Sequence, residues 1–183
     1  MALRIGVLMD PIATINTEKD TTLGLLRAAS AAGHQLTYLE QADLTVRSGE
    51  TMASLRPLTV YDDDTVWYAM GERYDASLST LDVVLMRKDP PFDMEFFYTT
   101  QLLEDAERRG TLIVNRCASL RDCNEKLFAT QFPACCPPLL VSRDPTALKD
   151  FHAEHNDVIL KPLDGMGGQS IFRVKEKDPN LNV

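Results

Sequence analysis

Two hydrophobic periods alternate along the chain, and the switches between them mark its elements. Residues 3–9 are an almost unbroken apolar run closed by Asp10-Pro11, which predicts a buried strand followed by a loop. Leu23, Leu25, Leu26 and Ala29 then recur at helical spacing, with Thr17 as the predicted N-cap and Gly33 as the stop. Residues 34–39 return as a strand, so the chain opens as a βαβ unit with a right-handed crossover and parallel pairing expected. His34, just past the helix stop, is expected in solvent. Residues 44–46, a Ser48-Gly49 turn and residues 51–60 predict a β-hairpin, with Trp67 and Tyr68 packed on it. The acid run Asp62-Asp63-Asp64 reads as a solvated turn, because three consecutive aspartates cannot all face one metal from a regular element. A further buried strand is predicted over residues 81–86. Asp93 then caps a helix through Arg109, with Glu95 in its first turn, Arg108 in its last and Gly110 after it. Residues 111–115 are the next core strand. The sum is an α/β, three-layer N-terminal domain with a mostly parallel sheet.

Past residue 116 the pattern changes. Residues 119–128 read as a linker and short capped helix, and the proline-rich residues 133–138 as a break. Residues 139–142 read as a strand, and Asp144-Pro145 opens a helix that runs to about His155. His152 and His155 lie three apart on that helix with no third ligand nearby, so both are expected as solvated surface histidines. Residues 158–160 are apolar and deliver Lys161; after a glycine-rich loop, residues 170–175 alternate with period two. The expected organisation is therefore an α/β domain over residues 1–122, followed by an α+β region over residues 123–183 that carries the glycine-rich loop.

Composition narrows the function. The 183 residues carry a net charge of −8, with a pI near 4.9, which argues against a general nucleic-acid or anionic-membrane binder. The N-terminus reads directly as a strand, not as a signal peptide, and no run approaches the ~18–20 apolar residues of a membrane span. Cys117, Cys123, Cys135 and Cys136 have no paired metal-ligand spacing and are expected as reduced thiols of a cytoplasmic protein.

The candidate chemistry sits at three places. The loop after the first strand, from Asp10-Pro11-Ile12 onward, lies at the carboxyl end of that strand, the edge where open α/β sheets bind ligands. Arg87-Lys88-Asp89-Pro90-Pro91 ends another strand with two cations and a rigid double proline, a corner suited to a carboxylate. The third place is Lys161 followed by Gly165, Gly167 and Gly168. A Walker loop needs its lysine after the glycines and a helix beyond, and a dinucleotide fingerprint also needs a helix. Here the glycines join two strands. Such a loop fits a cover over ATP phosphates, with Lys161 neutralising charge and Gly167 and Gly168 donating backbone N–H groups.

Four stretches, residues 9–12, 86–93, 119–128 and 161–168, together resemble bacterial glutathione synthetases of the ATP-grasp superfamily, in order and with similar spacing along the whole chain. The resemblance implies an ATP- and Mg2+-dependent ligase joining γ-glutamylcysteine to glycine through an acyl phosphate, with residues 1–122 as its substrate domain and residues 123–183 as an incomplete α+β ATP-grasp subdomain. It assigns Lys126, Lys161, Gly165, Met166, Gly167, Gly168, Gln169 and Ser170 to ATP. It assigns Asp10, Pro11, Ile12, Arg87, Lys88, Asp89 and Pro90 to the γ-glutamylcysteine side. It also implies a homo-oligomer whose partners are small molecules, neither nucleic acid nor membrane. No acidic cluster follows the loop, so the metal ligands are expected beyond Val183 and the chain is expected to be a fragment, inactive alone. The alternatives are a non-catalytic binding module of the same fold and another ATP-grasp carboxylate–amine ligase.

Overall fold

The computed structural model describes residues 1–63, 65–165 and 167–179. Met166 of the phosphate loop, Asp64 of the acid run and residues 180–183 lie outside them. The chain divides into two compact units, Met1–Asp89 with Met94–Arg121, and Pro90–Asp93 with Asp122–Val183.

The first unit is built on a sheet. Its elements are β1 (Arg4–Met9), α1 (Thr21–Ala31), β2 (Gln35–Leu39), β3 (Leu44–Arg47), β4 (Glu50–Val60), β5 (Tyr68–Met70), β6 (Tyr74–Ser77), β7 (Val83–Arg87), α2 (Met94–Arg108), β8 (Leu112–Val114) and α3 (Cys117–Asp122). The strand order is β3-β4-β2-β1-β7-β8, with β5 and β6 also on β4. β2, β1, β7 and β8 run parallel, as the βαβ opening requires, and β4 with its hairpin partners extends them antiparallel. Alternation of side chains along β1 supplies both faces. Leu8 goes to the side where Phe96, Leu103 and Ala106 of α2 pack, and Ile5 and Val7 to the side of Leu23 and Leu26 of α1. Helix, sheet and helix make the three layers.

Several expectations are corrected here. Thr17 does not cap α1; residues 17–19 form a turn, and the Asp20 side chain accepts from the Thr22 amide at 2.6 Å. β5 and β6 were not expected, and both exist because the long β4 offers an edge to each. Trp67 is buried with Leu58 and Val60, and the Ser48-Gly49 turn joins β3 to β4, both as expected. His34 is half-buried, and its Nδ1 lies 3.3 Å from the Leu3 amide.

The second unit holds short 3-10 turns at Phe128–Gln131 and Pro133–Cys135, then α4 (Pro145–His155), β9 (Asp157–Leu160) and β10 (Phe172–Lys175). Asp144 caps α4 through the Thr146 amide, with Pro145 in the first turn, as expected. β9 and β10 pair antiparallel, so the glycine loop does connect two strands. Two expectations fail. Residues 139–142 pair with no strand among the described residues, and Leu139, Leu140 and Val141 stay exposed. His152 is 6% exposed, not solvated, and its Nε2 lies 3.1 Å from the Lys175 carbonyl.

Candidate functional site

In the second unit, the Lys126 turn and the glycine loop converge. Asn124 folds the turn: its Oδ1 accepts from the amides of Lys126 and Leu127, both at 3.0 Å, and its carbonyl accepts from Phe128 at 2.7 Å. This sends the Lys126 side chain toward the loop. The Lys126 Nζ donates to the Gly165 carbonyl at 2.6 Å and to Glu125 Oε1 at 3.0 Å. Lys161, the residue after β9, reaches the same place from the other limb. Glu125, Lys126, Lys161, Gly165, Gly167, Gly168 and Ile171 line a cleft of about 250 Å³. Two lysines and one glutamate are among the lining residues, which leaves the cleft net positive in a chain of net charge −8.

The glycines are required for different reasons. Gly167 and Gly168 have φ of 62° and 80°, and a Cβ on either would meet nothing within 4 Å, so the requirement is conformational. A Cβ at Gly165 would lie 2.9 Å from Pro162 Cγ, so there the requirement is space. The loop around Gly167 and Gly168 is a turn, and successive backbone N–H groups in a turn can form a concavity that suits an anion's oxygens. Gln169 and Ser170, assigned to ATP by resemblance, are exposed and do not line the cleft.

In the first unit, the carboxyl ends of β1 and β7 carry a second cluster. Asp10 Oδ1 pairs with Lys88 Nζ at 2.8 Å, and Asp10 Oδ2 accepts from the Asp89 amide at 2.8 Å. Arg87 donates from Nε to Thr22 Oγ1 at 3.1 Å and from Nη2 to Thr21 Oγ1 at 2.9 Å. Its guanidinium is thus held by neutral hydroxyls at the N-terminus of α1. The Ile12 side chain is 3% exposed and belongs to the core, while its amide donates to the Tyr38 hydroxyl at 3.2 Å. Tyr38 in turn donates to Glu40; burial first, and then this bond, push the phenol well above its ordinary ionisation range. Pro11 is exposed, and Pro90 falls in the other unit.

The structure therefore gathers Lys126, Lys161, Gly165, Gly167 and Gly168 at one place, and Asp10, Arg87, Lys88 and Asp89 at another. Asn124, Glu125, Ile171 and the Thr21–Thr22 hydroxyls were not anticipated. An Asx signal two residues before Lys126 was legible for the first of these, and Glu125 is the sequence neighbour of Lys126; the Thr21–Thr22 hydroxyls meet Arg87 only through the fold. Among the described residues, no group of three or more His, Cys, Asp or Glu could hold a metal ion, and no helix is long and apolar enough to cross a membrane.

Residues 3–121 match the family described as prokaryotic glutathione synthetase, N-terminal domain, and residues 125–183 match its ATP-grasp domain. The glutathione synthetases of Pseudomonas putida and Pseudomonas aeruginosa are 58% and 57% identical to this chain over 183 residues. The Yersinia pestis enzyme is 54% identical over 181 residues, covering 99% of the chain and 57% of that relative. The chain is covered entirely by the two Pseudomonas relatives but spans only 58% of their own length. Among solved structures, the ATP-grasp ligase PsnB complexed with minimal precursor aligns with a TM-score of 0.53 at 16% identity, over 100% of this chain and 60% of that one. PsnB complexed with its precursor peptide PsnA2 and AMPPNP aligns at 0.52 and 18%, over 98% and 59%. These two likenesses concern the fold.

Proposed function

The chain belongs to the prokaryotic glutathione synthetase family, and on that premise we propose that the protein carrying it is an ATP-dependent carbon–nitrogen ligase joining γ-glutamylcysteine to glycine. The observation that carries the nucleotide part is the convergence of Lys126, Lys161 and the left-handed glycines on one net-positive cleft. ATP, when bound, supplies the phosphoryl group that activates a carboxylate for attack by the glycine amine. The residues of this chain bind and position it. Lys126 exchanges the Gly165 carbonyl for a phosphate oxygen, Lys161 neutralises charge from the opposite limb, and Gly167 and Gly168 donate main-chain N–H groups.

Mg2+ is a different matter. The described residues offer no cluster of His, Cys, Asp or Glu to hold it. For γ-glutamylcysteine, the carboxyl-end cluster of the first unit is the proposed contact, with Arg87 as the carboxylate-binding group. The cytoplasmic location and homo-oligomeric state implied by the resemblance belong to the same proposal.

Calorimetric titration of ATP into the chain tests the cleft. Lys126→Ala and Lys161→Ala are each expected to weaken binding by about tenfold or more, the worth of a charge-assisted hydrogen bond. Wild-type affinity in both variants would overturn the assignment. For the ligase itself, the measurement is glutathione formation with ADP release by the protein that carries this chain; release of ADP with no glutathione would point to another carboxylate–amine pair.

A further inference from the structure

Asn124 does not line the cleft, yet it is bonded to both limbs of it. Its Oδ1 faces two amides, Lys126 and Leu127, so this atom is the acceptor and the amide nitrogen points the other way. That nitrogen, Nδ2, donates to the Leu163 carbonyl at 2.9 Å, across 39 residues of sequence. One half-buried side chain thus closes the turn that bears Lys126 and grips the segment that enters the glycine loop. Leu163 lies two residues after Lys161 and two before Gly165, so the grip falls between the second lysine and the first glycine of the loop. The Lys126 Nζ reaches the same Leu163 carbonyl at 3.5 Å and the Gly165 carbonyl at 2.6 Å. These backbone oxygens occupy the lysine where a phosphate oxygen is proposed to go.

We propose, resting on the phosphate reading of this cleft, that Asn124 is a positioning residue: it pins the entering limb of the glycine loop to the Lys126 turn, so that both lysines address the same phosphate group. The two functions of its side chain are separable. Serine at this position keeps a neutral acceptor for the turn amides but has no donor long enough for Leu163. Aspartate would add a negative charge beside the cleft and confuse the two effects. Alanine removes both functions.

The test uses the 183-residue chain, with ATP as probe and amide hydrogen exchange as a second readout. In Asn124→Ser without nucleotide, peptides spanning residues 163–171 are expected to exchange faster, while those covering residues 126–128 keep wild-type protection. ATP affinity is expected to fall roughly tenfold, the effect of losing one well-placed hydrogen bond. In Asn124→Ala, both peptides exchange faster. Wild-type exchange over residues 163–171 in Asn124→Ser, or wild-type ATP affinity despite faster exchange, would overturn the positioning role. Wild-type chain that binds no ATP, with the exchange effects present, would instead overturn the phosphate reading and with it the purpose assigned to Asn124.

Discussion

At the scale of single residues, charge and burial set how this chain responds to pH. Arg4 grips Asp82 through its backbone amide at 2.7 Å and its guanidinium at 2.8 Å, and these bonds hold the Asp82 carboxyl down to about 2. The unfolded carboxyl ionises near ~3.9. A depressed carboxyl contributes stability above its unfolded pKa and loses it as pH falls through its folded one. The contribution of Asp82 is therefore complete above pH ~4 and disappears on the way down to about 2. Asp63, Asp105 and Asp157 are also depressed, Asp63 and Asp105 mainly by backbone amides and Asp157 by Arg173, and all act in the same direction. Urea unfolding of Asp82→Asn is expected to show lower stability at pH 7 and a shallower decline between pH 4 and 2 than wild type. An unchanged acid slope would remove Asp82 from the account. Thiols divide by the same logic. Burial, and secondarily Glu107, push Cys117 up to about 12, so it stays a thiol, whereas Cys123 and Cys135 are exposed. Iodoacetamide at pH 8 is expected to label Cys123 and Cys135 in the native chain and to spare Cys117 until urea is added, as read by peptide mass.

Elements show why one substitution can have opposite signs. Gly24 lies within α1, exposed, and a Cβ there meets nothing within 4 Å. Gly24→Ala is expected to stabilise the chain by about 0.5 kcal/mol, because alanine loses less backbone entropy. Gly168 also has open space, but at φ 80° alanine is strained by about 1 kcal/mol, so Gly168→Ala is expected to weaken ATP binding about fivefold. Equal affinities for Gly168→Ala and wild type would remove the conformational requirement. The sequence carried this loop well, since the order of lysine and glycines and the period-two run after them are local features. It carried the parallel strands well for the same reason, as β1, β7 and β8 are continuous apolar runs. It failed where two capping signals compete within a few residues, and where a distant partner decides. Thr17 and Asp20 are both capping residues, and the Asn16 carbonyl, accepting from Lys19 and Asp20, makes residues 17–19 a turn. β6 has little strand character and is made by the edge of β4. Residues 139–142 have strand composition but find no strand to pair with among the described residues. His152 is buried against a carbonyl 23 residues on, and Asn124 meets one 39 residues on. None of these partners can be read from spacing.

Across the whole molecule, apolar burial is unequal. Both hydrophobic clusters lie in the first unit, with Leu8, Leu39 and Leu103 fully enclosed. In the second unit, the buried residues among those described are His152 and Val158, while Ile159 and Phe172 on its two strands are 58% and 62% exposed. Stability follows apolar area removed from water, at roughly 25 cal/mol per Å². The second unit should therefore open at lower free energy than the first, and segments that must admit ligands are commonly drawn from that end of the range. The phosphate cleft lies there. Brief trypsin treatment is expected to cut within residues 126–173 and to leave a product reaching to about Arg121, with the slowest amide exchange in β1, β2 and β7. ATP gives this asymmetry a second readout. A ligand that binds only the closed form stabilises it by about 2.7 kcal/mol at one hundred times its Kd. Saturating ATP is therefore expected to slow cleavage within residues 126–173 about a hundredfold and to leave the first unit unaffected. Cleavage of both units at one rate would refute the unequal stability, and cleavage of the second unit unchanged by saturating ATP would count against nucleotide binding in its cleft.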